Sequence, residues 1–220
     1  MKFIKSAFAA AAIAAVMAPA SAAVVLDFEG VGNFAAINNF YNGGTDSLGN
    51  SGTNYGIAFS TATLGIIDAD AGGGGNFANE PSPSTIMFFL DANNAVLNAA
   101  AGFTTGFSFF YTSSTAASVN VWSGLNATGT LLGTLNLNAQ FNGNNCVGDP
   151  SGGFCNWTPI GVGFSGTAMS IDFGGTANQT GFDDITFGSV TPGIPEPSTY
   201  AMLALGLAGI GFVARRRKAD

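Results

Sequence analysis

Short runs of alternating apolar and polar residues, separated by clusters of Gly, Asn and Ser, make up the middle of this chain. Alternation with a period of two is typical of β-strands that bury one face. No segment of this region has a convincing helical period. We predict strands at 26–29, 56–60, 85–90, 106–111, 118–122, 131–137, 157–162, 168–173 and 181–187. Short strands at this spacing predict an all-β fold, an antiparallel β-sandwich of the jelly-roll kind.

The N-terminus departs from this pattern. Lys2 and Lys5 precede an apolar stretch at 7–18, and Ala20-Ser21-Ala22 supplies the small residues that signal peptidase needs. This order of a positive region, an apolar region and a small-residue site predicts a secretion signal at residues 1–22.

The C-terminus holds a second segment outside the strand pattern. An uncharged run at 200–214 is followed by the basic cluster 215–218. Fifteen helical residues reach about 22 Å, against roughly 30 Å of hydrocarbon, so we predict a short transmembrane helix that anchors only marginally. The basic cluster holds the C-terminal end in the cytoplasm and leaves the rest of the chain outside.

The segment before this helix carries a more specific signal. Pro195-Glu196-Pro197, the short Gly- and Leu-rich span and the terminal Arg cluster together resemble the PEP-CTERM sorting signal. The resemblance implies recognition by an exosortase, an integral membrane enzyme that cuts near the tripeptide and transfers the protein to the exopolysaccharide matrix. Pro195, Glu196 and Pro197 would be the recognised element. The alternative is a plain tail anchor whose prolines only end the helix.

These features divide the chain into four parts: a signal peptide (1–22), a β-sandwich domain (23–187), a linker (188–194) and a sorting and anchor segment (195–220). The body is long enough for one domain with a real core.

Charge is distributed very unevenly along the chain. All six Lys and Arg residues lie in the two terminal segments, the chain has no His, and 11 of its 13 acids lie in the body. The body has no cations to bind the phosphates of a nucleic acid. It also lacks the side chains that Ser-His-Asp catalysis, Schiff-base formation and zinc binding require. An enzyme would be left with a carboxylate pair or a calcium-dependent lyase mechanism, and we predict a non-catalytic protein.

The same distribution predicts a bound cation. Asp27 and Glu29 lie on one side of the first predicted strand, and Asp183 and Asp184 lie in the last one. First and last strands commonly lie close together in a jelly roll, so these acids are expected to meet with no basic side chain to pair them. Ca²⁺ prefers such oxygen ligands, which predicts a structural calcium site. The alternative is that the acids are simply solvated at strand ends.

The body also resembles, more loosely, the jelly roll of carbohydrate-binding modules. In that type an early Phe-Glu-Gly and a late Asp-Asp-Ile contribute to a structural calcium site, which matches 28–30 and 183–185 here. The resemblance implies Glu29 and Asp183 as the first candidates, with Asp27 and Asp184 behind them.

Two further predictions concern single side chains. Cys146 and Cys155 close a Gly- and Pro-rich loop, and in an oxidising exported compartment they predict a disulfide. Trp122 lies on the face opposite Val119 and Val121, where it could stack on a sugar ring; a core or edge position is the alternative.

The sequence therefore supports two functions. The first is a non-catalytic structural or adhesive protein of the cell surface or exopolysaccharide matrix of a biofilm, exported and then sorted. The second is a secreted carbohydrate-binding module that recognises a matrix glycan. Ice binding would need a regular flat array of Thr, and the body has no such repeat.

Overall fold

The computed structural model describes residues 23–91, 95–140, 146 and 152–193, and within them the chain forms strands and turns without a helix. The predicted signal peptide and the predicted sorting and anchor segment, including Pro195, Glu196 and Pro197, lie outside the described residues. The strands are β1 (Val24–Leu26), β2 (Ile57–Phe59), β3 (Thr63–Ile67), β4 (Thr85–Phe89), β5 (Val96–Phe103), β6 (Gly106–Ser113), β7 (Ala117–Gly124), β8 (Thr128–Leu137), β9 (Thr158–Gly163), β10 (Ala168–Phe173) and β11 (Thr180–Phe187).

Two antiparallel sheets form a sandwich. The first has the order β3-β4-β11-β6-β9, with β1 also paired to β11, and the second has the order β2-β5-β10-β7-β8. From β4 onward the strands occupy the two sheets in the order of a jelly roll, with β7 and β8 as the one consecutive pair in the same sheet. The prediction of an all-β antiparallel sandwich is confirmed.

Aromatic side chains fill the space between the sheets. Phe107, Phe109, Phe173 and Phe182 have no exposed surface, and Phe173 and Phe182 meet edge to face with centroids 4.9 Å apart. Alternation along β6, β10 and β11 directs these rings inward, and burying each one stabilises the fold by about 2–3 kcal/mol. The core therefore lies where the period-two pattern predicts it.

The sequence pattern did not predict two of the strands, β3 and β5. β5 reads Val-Leu-Asn-Ala-Ala-Ala-Gly-Phe, and its Ala run lacks the β-branched and aromatic residues that favour strands. It forms because β2 and β10 pair with it on both sides. β3 is short and contains Gly65, which weakens a strand signal.

The first strand is shorter at its C-terminal end than predicted. β1 ends at Leu26, and Phe28 has a φ of 59°, in the left-handed region that few non-glycine residues adopt. The expectation that Asp27 and Glu29 share one face of a strand is therefore wrong, because the chain turns before it reaches them.

A smaller apolar cluster lies on the outer face of the first sheet. Ile86 and Phe88 of β4 pack there with Ile66 and Phe77. The Cys146–Cys155 disulfide is present, with the two Cα atoms 5.3 Å apart, which confirms its prediction. Beside it, the Phe154 amide donates to the Asn76 carbonyl at 3.1 Å, so the end of the disulfide loop packs onto this cluster.

Residues 188–193 follow the outer face of the first sheet. The Thr105 hydroxyl donates to the Gly188 carbonyl at 2.9 Å, and the Ser108 hydroxyl donates to the Ser189 carbonyl at 2.9 Å. A Cβ atom at Gly161 would collide with the carbonyl of Val190, so the close approach requires glycine. The part of the chain that the structure describes contains no helix long and apolar enough to cross a membrane.

Candidate acidic site between the first and last strands

Pairing of β1 with β11 brings the two ends of the body together. Leu26 lies opposite Ile185, so the chain leaves β1 beside the Asp183-Asp184 pair. This confirms that the first and last strands are neighbours. The four predicted acids do lie in one region, although the turn after Leu26 rather than strand alternation positions the first two.

Asp183 is completely buried and takes its hydrogen bonds from the protein. The Ser82 amide donates to Oδ2 at 2.8 Å, and the Ser82 hydroxyl lies 2.9 Å from both carboxylate oxygens. The Asp184 amide donates to Oδ1 at 2.8 Å. Burial and then the neighbouring Asp184 raise the pKa of Asp183 well above its ordinary value, against the opposing effect of these hydrogen bonds.

Glu29 is held by the same loop. The amides of Ser84 and Thr85 donate to Oε1 at 2.9 and 2.8 Å, and the Ser84 hydroxyl donates to Oε2 at 3.0 Å. The Ser82 hydroxyl lies 3.4 Å from Oε1 as well. The segment 82–85 therefore donates hydrogen bonds to both Glu29 and Asp183.

Asp184 is the exception in this cluster. Its side chain is fully buried, and neither carboxylate oxygen has a hydrogen-bond partner among the described residues. Its φ of 48° marks a β-bulge, because the pairing of β11 with β6 shifts register between Asp183 and Thr186. Burial, followed by the charges of Asp27 and Glu29, raises the pKa of Asp184 to about 7.

Asp27 borders solvent. The Glu29 amide donates to its Oδ1 at 3.2 Å. Burial is the largest cause that raises the pKa of Asp27. The hydrogen bond from the Glu29 amide opposes this effect, and the Glu29 charge adds to it. The buried Tyr41 hydroxyl accepts the Phe28 amide at 2.8 Å, and burial followed by the charge of Asp27 raises the pKa of Tyr41 well above its ordinary range.

The donor set fits a calcium ion in its chemistry. Carboxylate, hydroxyl and carbonyl oxygens are the ligands that Ca²⁺ takes, and the two unpartnered oxygens of Asp184 are what a cation would satisfy. Within the described ranges, however, no three Asp, Glu, Cys or His side chains are grouped closely enough to hold a metal by themselves. Backbone carbonyl oxygens would therefore have to complete the coordination. The hydrogen bonding favours Asp184 and Asp27 as ligands, since Glu29 and Asp183 are already engaged by the 82–85 segment.

Trp122 lies apart from these acids, in the second sheet. Val119 and Val121 are completely buried, so alternation places Trp122, Ser118 and Asn120 on the opposite face. The Trp122 indole is only partly exposed, and its Nε1 atom is buried without a partner among the described residues. Its cross-strand neighbours are Ser170 of β10 and Leu131 of β8, and Leu131 is 47% exposed.

Several residues of this region were not foreseen from the sequence. Ser82 joins Asp183 to the backbone carbonyl of Asp27, which accepts its hydroxyl at 3.0 Å across 55 residues of sequence. Tyr41 closes the other side of Asp27. A serine between two prolines and a tyrosine in a Gly/Asn-rich loop carry no local signal for such roles, because the partners are distant in sequence.

Two solved structures of carbohydrate-binding modules are similar in shape to this chain. One is a family 6 module whose binding sub-sites were dissected by crystallography and calorimetry, with 18% identity, a TM-score of 0.37, and coverage of 60% of this chain and 91% of that one. The other is the module of lichenase 5A from Cellvibrio mixtus in complex with cellotriose, with 15% identity, a TM-score of 0.33, and coverage of 59% and 88%. Similarity at this level assigns neither a family nor a ligand to the chain, and no curated protein matches it.

The comparison with protein-family models identifies a specific motif at the C-terminus. Residues 193–218 match the family model of the PEP-CTERM protein-sorting motif, and this match includes the predicted tripeptide and basic cluster. The motif implies export, anchoring in the membrane before sorting, and processing by an exosortase. The chain thus carries a PEP-CTERM sorting motif directly behind an all-β sandwich.

Proposed function

We propose that this protein is a non-catalytic component of the cell surface or exopolysaccharide matrix, exported, sorted by an exosortase and stabilised outside the cell by calcium. The single observation that carries the proposal is the sorting motif at 193–218. The motif indicates where the protein is sent, and the composition of the body is consistent with a location outside the cell. A body with 11 acids and no basic side chain lacks most of the side chains used in catalysis.

Calcium supports this function through stability. An isolated buried carboxylate is costly, and the unpartnered oxygens of Asp184 lie near the charges of Asp27 and Glu29. A bound Ca²⁺ would neutralise this charge and tie the turn after β1 to β11. Extracellular calcium is an available counter-charge for the body, which has no Lys, Arg or His of its own.

Glycan recognition is the second candidate function. Trp122 on the outer face of the second sheet would be its stacking residue, but a sheet-face sugar site usually needs more than one exposed ring. The cross-strand neighbours of Trp122 are Ser170 and Leu131, neither of which is aromatic, and this favours the structural role for that face. Sugar binding elsewhere on the body is compatible with both functions.

Localisation tests the main proposal. The full chain, with an epitope inserted in the exposed turn at Gly72, is expressed in a bacterium that has an exosortase. We expect the epitope to become accessible to protease in intact cells and the C-terminal segment to be removed. Pro195→Ala with Glu196→Ala should leave the uncut protein in the membrane, whereas Pro192→Ala, just outside the motif, should be processed normally. Retention of the wild-type chain in the cytosol, or normal sorting without residues 195–220, would overturn the proposal.

Thermal unfolding tests the calcium component. A ligand that binds only the folded state stabilises it by about 2.7 kcal/mol at a hundredfold excess over its Kd. The exported protein should therefore unfold at a higher temperature in Ca²⁺ than in chelator, and Mg²⁺ should act more weakly. Equal midpoints in Ca²⁺ and chelator would refute calcium binding and leave the sorting result untouched.

A further inference from the structure

A cavity of about 250 Å³ opens between the end of β1 and the long β1–β2 connection. Its lining includes Asp27, Glu29, Tyr41, Ser51, Thr53 and Tyr55. Pockets for drug-sized ligands have roughly 300–1,000 Å³. A cavity slightly below that range suits one small polar ring better than a longer apolar molecule.

Tyr55 gives this cavity a rigid aromatic wall. Its ring is 41% exposed and stacks on the buried ring of Tyr41, with centroids 6.1 Å apart and planes inclined by 26°. The Tyr55 amide also donates to the Tyr41 carbonyl at 2.9 Å. An exposed ring fixed on a buried one is preorganised, so a ligand that stacks on it loses little side-chain entropy.

The polar groups of the cavity suit hydroxyl-rich ligands. Ser51 and Thr53 are exposed and bring hydroxyls that both donate and accept. Asp27 accepts the Glu29 amide at 3.2 Å and a hydrogen bond from the Tyr41 side chain, whereas the Glu29 oxygens take three hydrogen bonds from Ser84 and Thr85. Asp27 is therefore the carboxylate with remaining capacity to accept from a ligand. A stacking ring beside a hydroxyl pair and a carboxylate acceptor matches a pyranose, which has apolar C–H faces and an equatorial belt of hydroxyls.

Charge restricts which sugar can enter. Asp27 and Glu29 are the ionisable acids of the lining, and the sequence has no Lys, Arg or His between Lys5 and Arg215 to offset them. Uronic acids and sulfated or phosphorylated sugars would be repelled. The ligand class that remains is a neutral hexose.

We infer that this cavity binds a single neutral sugar ring of a surface or matrix glycan, with Tyr55 as the stacking platform and Asp27, Ser51 and Thr53 as hydrogen-bonding partners. The inference rests on the proposed extracellular location, because that is where the protein would meet such a glycan. It names a site different from the sheet face that carries Trp122. It also gives the body a means of staying in the matrix after its anchor has been cut.

Calorimetric titration of the exported protein in chelator tests the site, because bound Ca²⁺ would neutralise the acids of the lining. The probes are neutral trisaccharides of gluco, manno and galacto configuration, and trigalacturonate serves as the acidic counterpart. We expect at least one neutral probe to bind and trigalacturonate not to. Tyr55→Ala should lower the affinity at least about tenfold and Tyr55→Phe should retain it, because the ring and not the hydroxyl stacks. Trp122→Phe is the matched control and should bind like the wild type.

Each outcome decides the matter. Tyr55 is exposed, so its variants should keep the wild-type melting temperature, and a lost affinity with an unchanged melting temperature supports the site. Binding that depends on Trp122 and not on Tyr55 overturns it, as does preference for trigalacturonate or no binding of any neutral probe. These results leave the sorting and calcium experiments unaffected, so failure of the sugar site is distinguishable from failure of the proposed function.

Discussion

Two buried aspartates in this protein lie in opposite situations. Asp46, in the β1–β2 connection, accepts the amides of Gly32, Leu48 and Asn50 at 2.8, 2.8 and 2.9 Å and the Asn50 side-chain amide at 2.9 Å. Asp184, in β11, is equally inaccessible but has no hydrogen-bond partner for either oxygen among the described residues. Both carboxylate oxygens of Asp46 accept hydrogen bonds, whereas neither oxygen of Asp184 accepts one among the described residues.

The difference shows what each region is built for. Burial raises the pKa of Asp46, but the donors from Gly32, Asn50 and Leu48 outweigh it, so its net pKa is lowered. Nothing outweighs burial at Asp184, and its pKa is raised to about 7. The Asp46 region is complete within the protein itself. The Asp184 region is completed by something the chain does not supply, either a proton or a cation.

The largest expected effect is the loss of Asp46. Asp46→Ala should destabilise the fold by about 3 kcal/mol, because it removes a charged acceptor that takes four hydrogen bonds. Urea unfolding at neutral pH measures this change in the free energy of unfolding. Asp70→Ala makes the same chemical change at an exposed position and should alter it by less than about 0.5 kcal/mol. Equal effects of the two substitutions would show that the Asp46 hydrogen bonds do not hold the loop.

The second effect should change sign with calcium. In chelator, Asp184→Asn removes a buried unpaired charge and should stabilise the fold by about 1–2 kcal/mol. In Ca²⁺ the same variant should lose most of the calcium-dependent gain of the wild type, which is about 2.7 kcal/mol at a hundredfold excess. Thermal unfolding under the two conditions measures both values. A variant that stays responsive to Ca²⁺ would exclude Asp184 as a ligand.

The third effect is a difference in pH dependence, and it is the smallest within a single pH unit. The raised pKa of Asp184 means that its contribution to stability is complete below the ordinary value of 3.8 and is lost as the pH rises through about 7. The lowered pKa of Asp46 works in the opposite direction, so its contribution is lost as the pH falls below that ordinary value. Asp183 and Asp27, which lie beside Asp184, also have raised pKa values and add to the first trend.

Unfolding in chelator from pH 2 to pH 8 measures this dependence. Asp184→Asn should flatten the decline of stability between about pH 4 and pH 7 by up to one proton, or about 1.4 kcal/mol per pH unit. Asp46→Ala should leave that window unchanged and weaken only the loss of stability in acid. An unchanged slope in Asp184→Asn would mean that this carboxyl does not titrate on unfolding.

The sequence predicted much of the framework and less of the site. Each of the nine predicted strands overlaps a strand of the fold, and in β6 Phe107 and Phe109 point inward as their spacing requires. β5 was missed because its Ala run has no strand preference of its own and depends on the strands that flank it.

The candidate site shows the same division. The acids Asp27, Glu29, Asp183 and Asp184 were recognised as a group because the body has no base to pair them. Their different environments were not predictable, because the donors of Ser82, Ser84 and Thr85 arrive from a loop more than 50 residues away from Glu29. Asp46 carries no comparable sequence signal, although the fold supplies it with four hydrogen bonds.

By itself, the sequence determined the sorting motif, the cation-free body and the faces of most strands, because each of these is written in local order or in composition. Only the tertiary structure decided that Asp184 is left without a donor, that Asp46 is fully bonded and that Tyr41 supports Tyr55 beside a cavity. Hydrogen bonding and burial depend on which distant segments pack together. Two buried aspartates of one chain can therefore end in opposite electrostatic states.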